Sequence, residues 1–329
     1  MNWKKKLATC TLLAALATGI TYIINKFIYF VATLDNLLSN PDGNYYEWRF
    51  GKIYYTKKGE GEPILLIHDL ASSSSGYEWN KVEEKLAKAN TVYTIDLLGC
   101  GRSDKPNLTY TNYLYVQLIT DFIKHVIENK TDIITTGESS SFVLLACNND
   151  KEIINKIILT NPSSLVSMSK IPTKRTKALK FLIYIPVIGT LLYNILTTKR
   201  KIDLKFQTEY FNKPENIDAN LIKAYYESAH IHNARPKYLF ASMKGKYTTA
   251  NIMHCLPSID NSVFIFTGDG NQENKLIAEQ YKDYTPSIEI ISIANAKHLP
   301  QLEYPKQFTD QVSLVFELGN SYSNKTEEK

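Results

Sequence analysis

The stretch "TTGESSSFVLLA" (135–146) holds a serine flanked by small residues, with Gly137 two positions before Ser139 and Ser141 two after. A serine hydroxyl attacks only when a base takes its proton and the backbone presents it clear of neighbouring groups. A sharp strand-to-helix turn does the presenting, and it needs small residues at those two sites because the chain doubles back tightly. Ser141 is small, though less free in φ and ψ than glycine. Ser139 then stands at the start of a helix, whose free N–H groups favour developing negative charge. Ser139 to Ser141 equally suit plain capping of that helix. The motif alone leaves both roles open.

The remaining reactive types add little by themselves. His298 precedes a Leu-Pro pair, His125 lies on a helical segment, His230 and His232 are two apart, and His254 adjoins Cys255. None makes a zinc signature: the His230–His232 pair is thin evidence and the adjacent His-Cys pair adds nothing to it. Cys10, Cys100, Cys147 and Cys255 lack metal-ligand spacing, and one falls in an apolar run, which argues against a disulfide framework. "GCGRS" (99–103) lacks the dinucleotide fingerprint and nothing resembles a P-loop. No cofactor and no metal are implied.

These groups need a scaffold to bring them together. Residues 45–60 alternate as a hairpin around Gly51. Short apolar runs at 63–68, 91–96, 131–136, 154–161, 262–268 and 287–293 read as buried strands. Helical patterns are expected in "EWNKVEEKLAKA" (78–89) and over 112–129, 140–148, 273–282 and 305–317. Strands alternating with helices predict an α/β fold, a mostly parallel sheet covered on both faces. The rhythm fails over 169–256, which reads as an inserted helical cap. The core then comprises 45–168 and 257–318, and the tail 319–329 is expected to fray.

Four segments, in order, resemble the α/β-hydrolase superfamily over nearly all the chain beyond residue 45, apart from much of the cap. They are "LLIHDLASSSSGYEW" (65–79), "DLLGCGRSDKP" (96–106), the serine motif, and "AKHLPQLEYPKQF" (296–308). The second and fourth are similar to segments of esterase, dehalogenase and epoxide-hydrolase relatives. The resemblance implies Ser139 as nucleophile and His298 as general base, with an oxyanion hole from the backbone N–H groups of Ser140 and Leu70. His68 is then the histidine that orients its loop. Asp69 departs from the usual glycine and brings bulk and negative charge towards the site. At the position of the family's acid stands Asn271, which can orient an imidazole but cannot offset its charge, a loss reaching about 10⁴ in rate. Asp269 and Glu273 share that loop, and Asp269, nearer the strand end, is the expected orienter. The earlier loop "TNPSS" (160–164) offers Asn161 and no carboxylate.

Charge is unevenly placed along the 329 residues. Lys4 to Lys6 precede eighteen uncharged residues, 7–24, just enough for a bilayer-spanning helix. The apolar run resumes after Lys26, which favours a retained anchor over residues 1–34 against a cleaved signal peptide. The lysines hold the N-terminus on the cytoplasmic side and place the body outside. Residues 170–256 carry fifteen Lys or Arg against five Asp or Glu, while the whole chain is +5. Within them "FLIYIPVIGTLLYNIL" (181–196) is uncharged, and reads as the lining of an apolar pocket or as a surface meeting lipid headgroups. No recognition helix or aromatic platform accompanies the basic charge, so no nucleic acid partner is expected. The expectation is a membrane-anchored serine hydrolase acting on an apolar ester or acyl-lipid. The alternatives are another hydrolase or cofactor-free peroxidase-type chemistry on the same fold, and a lipid-binding or interaction module with a decayed triad.

Overall fold

A computed structural model describes residues 3–233 and 235–326, with 317–326 as backbone only. Eight strands form one sheet: β1 (Asn44–Trp48), β2 (Gly51–Lys58), β3 (Glu62–Ile67), β4 (Asn90–Ile95), β5 (Thr131–Thr136), β6 (Ile154–Thr160), β7 (Val263–Gly268) and β8 (Glu289–Ile293). Their order is β1-β2-β4-β3-β5-β6-β7-β8. β2 pairs antiparallel with β1 and β4, and every pairing from β4 to β8 is parallel. The expected α/β fold is the observed one.

The helices are α1 (Trp3–Ala32), α2 (Asn112–Phe122), α3 (Ser139–Asn149), α4 (Lys174–Tyr184), α5 (Ile188–Leu196), α6 (Lys199–Lys205), α7 (Ala219–His230), α8 (Pro236–Lys244), α9 (Gln272–Tyr284) and α10 (Pro305–Thr326). Successive strand residues point to opposite faces, so each apolar run feeds two cores. Leu65, Ile67, Ile133 and Ile157 pack with Phe122 and Phe142 of α2 and α3. Ile64, Leu66, Ile134 and Ile158 pack with Phe308 and Val312 of α10.

Two expectations change. The helix predicted over 78–89 is reduced to a 3₁₀ turn, Gly76–Trp79, and one α-turn, Glu83–Leu86. Local demands break it: the Gly76 N–H is committed to Asp96 at 2.6 Å. Glu83 turns inward to Thr56, Lys58 and Thr94 at 2.6–2.7 Å. The tail is not frayed throughout, since α10 continues to Thr326, and 327–329 lie outside the described residues.

α1 is continuous, and its most apolar stretch of eighteen residues has none buried. Its C-terminal part docks on helices that lie between β6 and β7. Asn25, Tyr29 and Ala32 are buried there. Asn25 donates to the Val187 carbonyl (3.2 Å) and accepts from Asn194 (2.8 Å). Just beyond α1, the Leu37 N–H donates to Glu227 of α7 at 2.7 Å. The 174–184 helix and the helical run from Ile188 meet at a 107° bend. Val187 takes φ 61° at that break, next to Pro186. Phe181 and Ile188 are 72% and 62% exposed there, large apolar side chains mostly without protein cover.

Candidate active site

The bend between β5 and α3 is made by Gly137, whose φ of +59° suits a residue without a side chain. Glu138 is already helical (φ −65°, ψ −31°) and Ser139 is the first residue of α3. The left-handed position therefore falls two residues earlier than the serine frame predicts. Ser139 is fully buried and its Oγ donates to the His68 carbonyl at 2.7 Å. The structure records no hydrogen bond between Ser139 and His298. The Ser140 N–H, expected in the oxyanion hole, donates to the Gly137 carbonyl at 3.3 Å. The Leu70 N–H has no partner among the described residues.

A different side chain meets His298. Asp69, at the end of β3, reaches across the bend: Oδ1 accepts from the Glu138 N–H at 2.8 Å, and Oδ2 lies 3.5 Å from His298 Nε2. A Cβ added to Gly137 would fall 2.2 Å from Asp69 Oδ1. The carboxylate thus fills the space that a side chain at the bend would take. Burial favours its neutral form, yet the His298 hydrogen bond and charge, Lys205 and the Glu138 N–H outweigh that and hold its pKa below the ordinary value. Asp69 is an anion at neutral pH, with one oxygen fixed by backbone and the other facing an imidazole.

The surroundings fix this pair. His68 is buried, and its Nδ1 meets the Asp69 carbonyl at 2.7 Å while Nε2 accepts from the Leu97 N–H at 3.1 Å. Those partners require the proton on Nδ1. Burial lowers its pKa, so it ties the β3 and β4 loops together as a neutral ring. Glu78 accepts long bonds from the Asp69 N–H (3.3 and 3.4 Å) and shorter ones from Gln301 (3.1 Å) and Tyr225 (3.2 Å). Burial, then the Asp69 charge, push its pKa up to about 8. His298 stacks on Tyr210 at 5.2 Å, and its backbone N–H donates to the Tyr210 carbonyl. Asn161, at φ 41°, donates to the carbonyls of Lys297 and His298 at 2.8 and 2.9 Å. The residue that offered no carboxylate braces the histidine loop instead.

Asp269 is not the orienter of His298. It is exposed and its carboxylate accepts from the Asn295 N–H in the turn after β8. The Asn271 side chain caps α9 by accepting from the Glu273 N–H at 3.0 Å. Among the described residues Asp69 is the sole carboxylate bonded to the His298 ring. Asp69, His298, Asn161, Tyr210, Lys205 and Asn271 line a cleft of about 420 Å³. The sequence pointed to Asp69 only as an odd residue, and Glu78, Lys205 and Tyr210 carried no signal.

Residues 64–311 match the alpha/beta hydrolase family, and the chain belongs to it. A 2-hydroxy-6-oxo-6-(2'-aminophenyl)hexa-2,4-dienoic acid hydrolase of Metapseudomonas resinovorans is 30% identical over 114 residues. The match covers 34% of this chain and 39% of that one. The chain therefore spans about two fifths of that relative's length. A serine hydrolase involved in carbazole degradation shares the fold with a TM-score of 0.68 at 18% identity, covering 84% of this chain and 98% of that one. A bacterial membrane phospholipase A matches with a TM-score of 0.65 at 17% identity, covering 95% and 98%.

Proposed function

We propose that this chain is a membrane-tethered hydrolase whose reacting pair is Asp69 and His298. The observation that carries it is the Asp69 carboxylate at the glycine bend, with Oδ1 on the Glu138 N–H and Oδ2 facing His298. A carboxylate can act as a nucleophile in covalent catalysis. Attack by Oδ2 on a saturated carbon forms an ester with Asp69 and expels the leaving group with its electron pair. His298 then takes a proton from water, the hydroxide adds to the Asp69 carbonyl carbon, and collapse releases an alcohol and restores the carboxylate. The proton passes from His298 to the leaving group or solvent. Attack on an acyl carbon is less suited, because the tetrahedral adduct would expel the carboxylate more readily than an alkoxide. The preferred substrate is thus an apolar molecule with an electrophilic alkyl carbon, such as an epoxide.

Single turnover of an apolar terminal epoxide in ¹⁸O-water tests this. The label should enter the Asp69 carboxylate, read by mass spectrometry of its peptide. Turnover with no label at Asp69 refutes the covalent route. No turnover, with a folded protein, favours the binding module.

The anchor supports a second reading, the apolar ester or acyl-lipid cleavage expected from the sequence. The buried contacts of Asn25, Tyr29 and Ala32 favour a helix kept in the mature protein, with the nearby bend of α4 and α5 at the bilayer surface. Acyl transfer requires Ser139 to leave the His68 carbonyl and reach His298. Fluorophosphonate labelling that is lost in Ser139→Ala and kept in Asp69→Asn would favour it.

A further inference from the structure

A second cavity, of about 480 Å³, opens beside the reacting cleft. Lys205 and Glu209 line both. Its wall carries four lysines: Lys201 and Lys205 from α6, Lys244 at the end of α8, and Lys246 just beyond. Among the described residues none of the four forms an ion pair with a carboxylate. Lys205 and Lys244 instead lie over the rings of Tyr210 (4.6 Å) and Phe240 (5.3 Å). Two acids share the cavity, Glu138 and Glu209. Burial pushes the Glu138 pKa up to about 7, so part of its population is uncharged at neutral pH. One Glu138 oxygen is buried without a hydrogen-bond partner. The remaining wall joins the apolar side chains of Leu196, Ile202, Phe240 and Met243 to the hydroxyls of Ser72, Ser73 and Thr197.

Like charges this close repel one another, offset only in part by Glu209 and, at Lys205, by Asp69, and the lysine at 244 shows it. Its pKa is lowered, first by burial and then by Lys205 and Lys246. Lys246 sits in this group with φ 62°, a conformation a side-chain-bearing residue adopts at a cost. An oxyanion relieves the repulsion and accepts charge-assisted bonds from the ammonium groups. The apolar wall suits a hydrocarbon chain on the same molecule.

We propose that this cavity is an anion subsite, which takes the phosphate or sulfate group of an amphiphilic ligand while its chain lies on Leu196, Ile202, Phe240 and Met243. It rests on the Asp69–His298 reading only for where the ligand's reacting carbon would lie. Binding needs no reaction.

The test is calorimetric titration of the full chain in phosphatidylcholine nanodiscs with hexyl phosphate, hexanol and inorganic phosphate. Hexyl phosphate should bind more tightly than either of the others. The pair Lys244→Gln and Lys246→Gln, shown by its melting curve to fold, should weaken it by at least roughly ten- to hundred-fold, the range of one charged hydrogen bond. Hexanol binding as tightly, or unchanged affinity in the folded double variant, overturns the proposal. Asp69→Asn should retain hexyl phosphate binding even if another group turns out to react, so the two readings fail separately. Nanodiscs doped with phosphatidic acid identify the source. Lysine-dependent competition with hexyl phosphate assigns the ligand to the bilayer, and undiminished binding assigns it to a soluble molecule.

Discussion

Asp69 and Gly137 share one side-chain position: a Cβ on Gly137 would come within 2.2 Å of Asp69 Oδ1. The glycine also takes φ +59°, where a side chain costs about 1–2 kcal/mol. Gly137→Ser should therefore destabilise the fold by at least that amount in chemical denaturation. Removing the obstruction separates the two effects. Gly137→Ser combined with Asp69→Gly should recover part of the loss and place a hydroxyl at the bend near His298. The double variant is then expected to react with a fluorophosphonate where the parent does not. An unreactive, folded double variant would show that the bend does not present residue 137 to His298.

Ser139 is held by a single buried bond to the His68 carbonyl. Ser139→Ala removes a donor and leaves that carbonyl underused, which costs about 1 kcal/mol of stability. If Asp69 and His298 react, turnover should stay within about threefold of the parent, a barrier change below about 1 kcal/mol. Asp69→Asn should instead abolish it, because an amide is neutral and a poor nucleophile. Equal losses of turnover in Ser139→Ala and Asp69→Asn, with both variants folded, would return the chemistry to the serine.

The sheet was legible because its runs are nearly continuous: "PILLIH" becomes β3, whose last four residues are all buried. The serine motif was ambiguous in a way periodicity cannot resolve. "TTGESSS" supplies small residues for a bend at 139 and equally for a bend at 137, and backbone conformation decides between them. Glycine reaches positive φ at least cost, so it takes the bend and Ser139 moves into the helix. His298 was found as a position, but its carboxylate partner lies 229 residues away on another loop. Asp69 was visible only as a residue too large for its place. Asp269 was expected to orient His298, but its carboxylate is taken by the Asn295 N–H, while Asn271 is used in starting α9.

Glu78 gives a pH signature. Its folded pKa is about 8, pushed up mainly by burial, against an ordinary value near 4.5. Between these values the unfolded chain has lost the proton while the folded protein keeps it. The unfolded state then binds fewer protons, so this group makes stability fall as pH rises, by on the order of 1 kcal/mol per unit. Its contribution is full below about pH 4.5 and lost above about pH 8. Glu78→Gln, which keeps an acceptor for Gln301 and the Asp69 N–H, removes this dependence. The variant should be more stable than the parent at pH 8 to 9, with the difference shrinking towards pH 5. Urea titrations across that range measure it, and a gap that widens on acidification would contradict the assignment.

The bend between α4 and α5 leads to the last expectation. Phe181 and Ile188 stand largely exposed beside a break that α1 grips through Asn25 and Asn194. Burying either side chain in lipid would gain roughly 1.5–3 kcal/mol, and the basic residues around the 181–196 run would meet headgroup phosphates at the same depth. On the proposed membrane-tethered reading, α1 fixes the bend near its own C-terminal end, so the apolar faces would enter the bilayer without a second span. Tryptophan reports this directly. Phe181→Trp and Ile188→Trp, in vesicles of lipids brominated high on the acyl chain, should be quenched beyond the background of Trp3, Trp48 and Trp79. Bromines near the bilayer centre should quench them less, as suits a segment lying at the interface. If neither new tryptophan is quenched while Trp3 is, the bend faces water or protein and the anchor alone holds the molecule to the membrane.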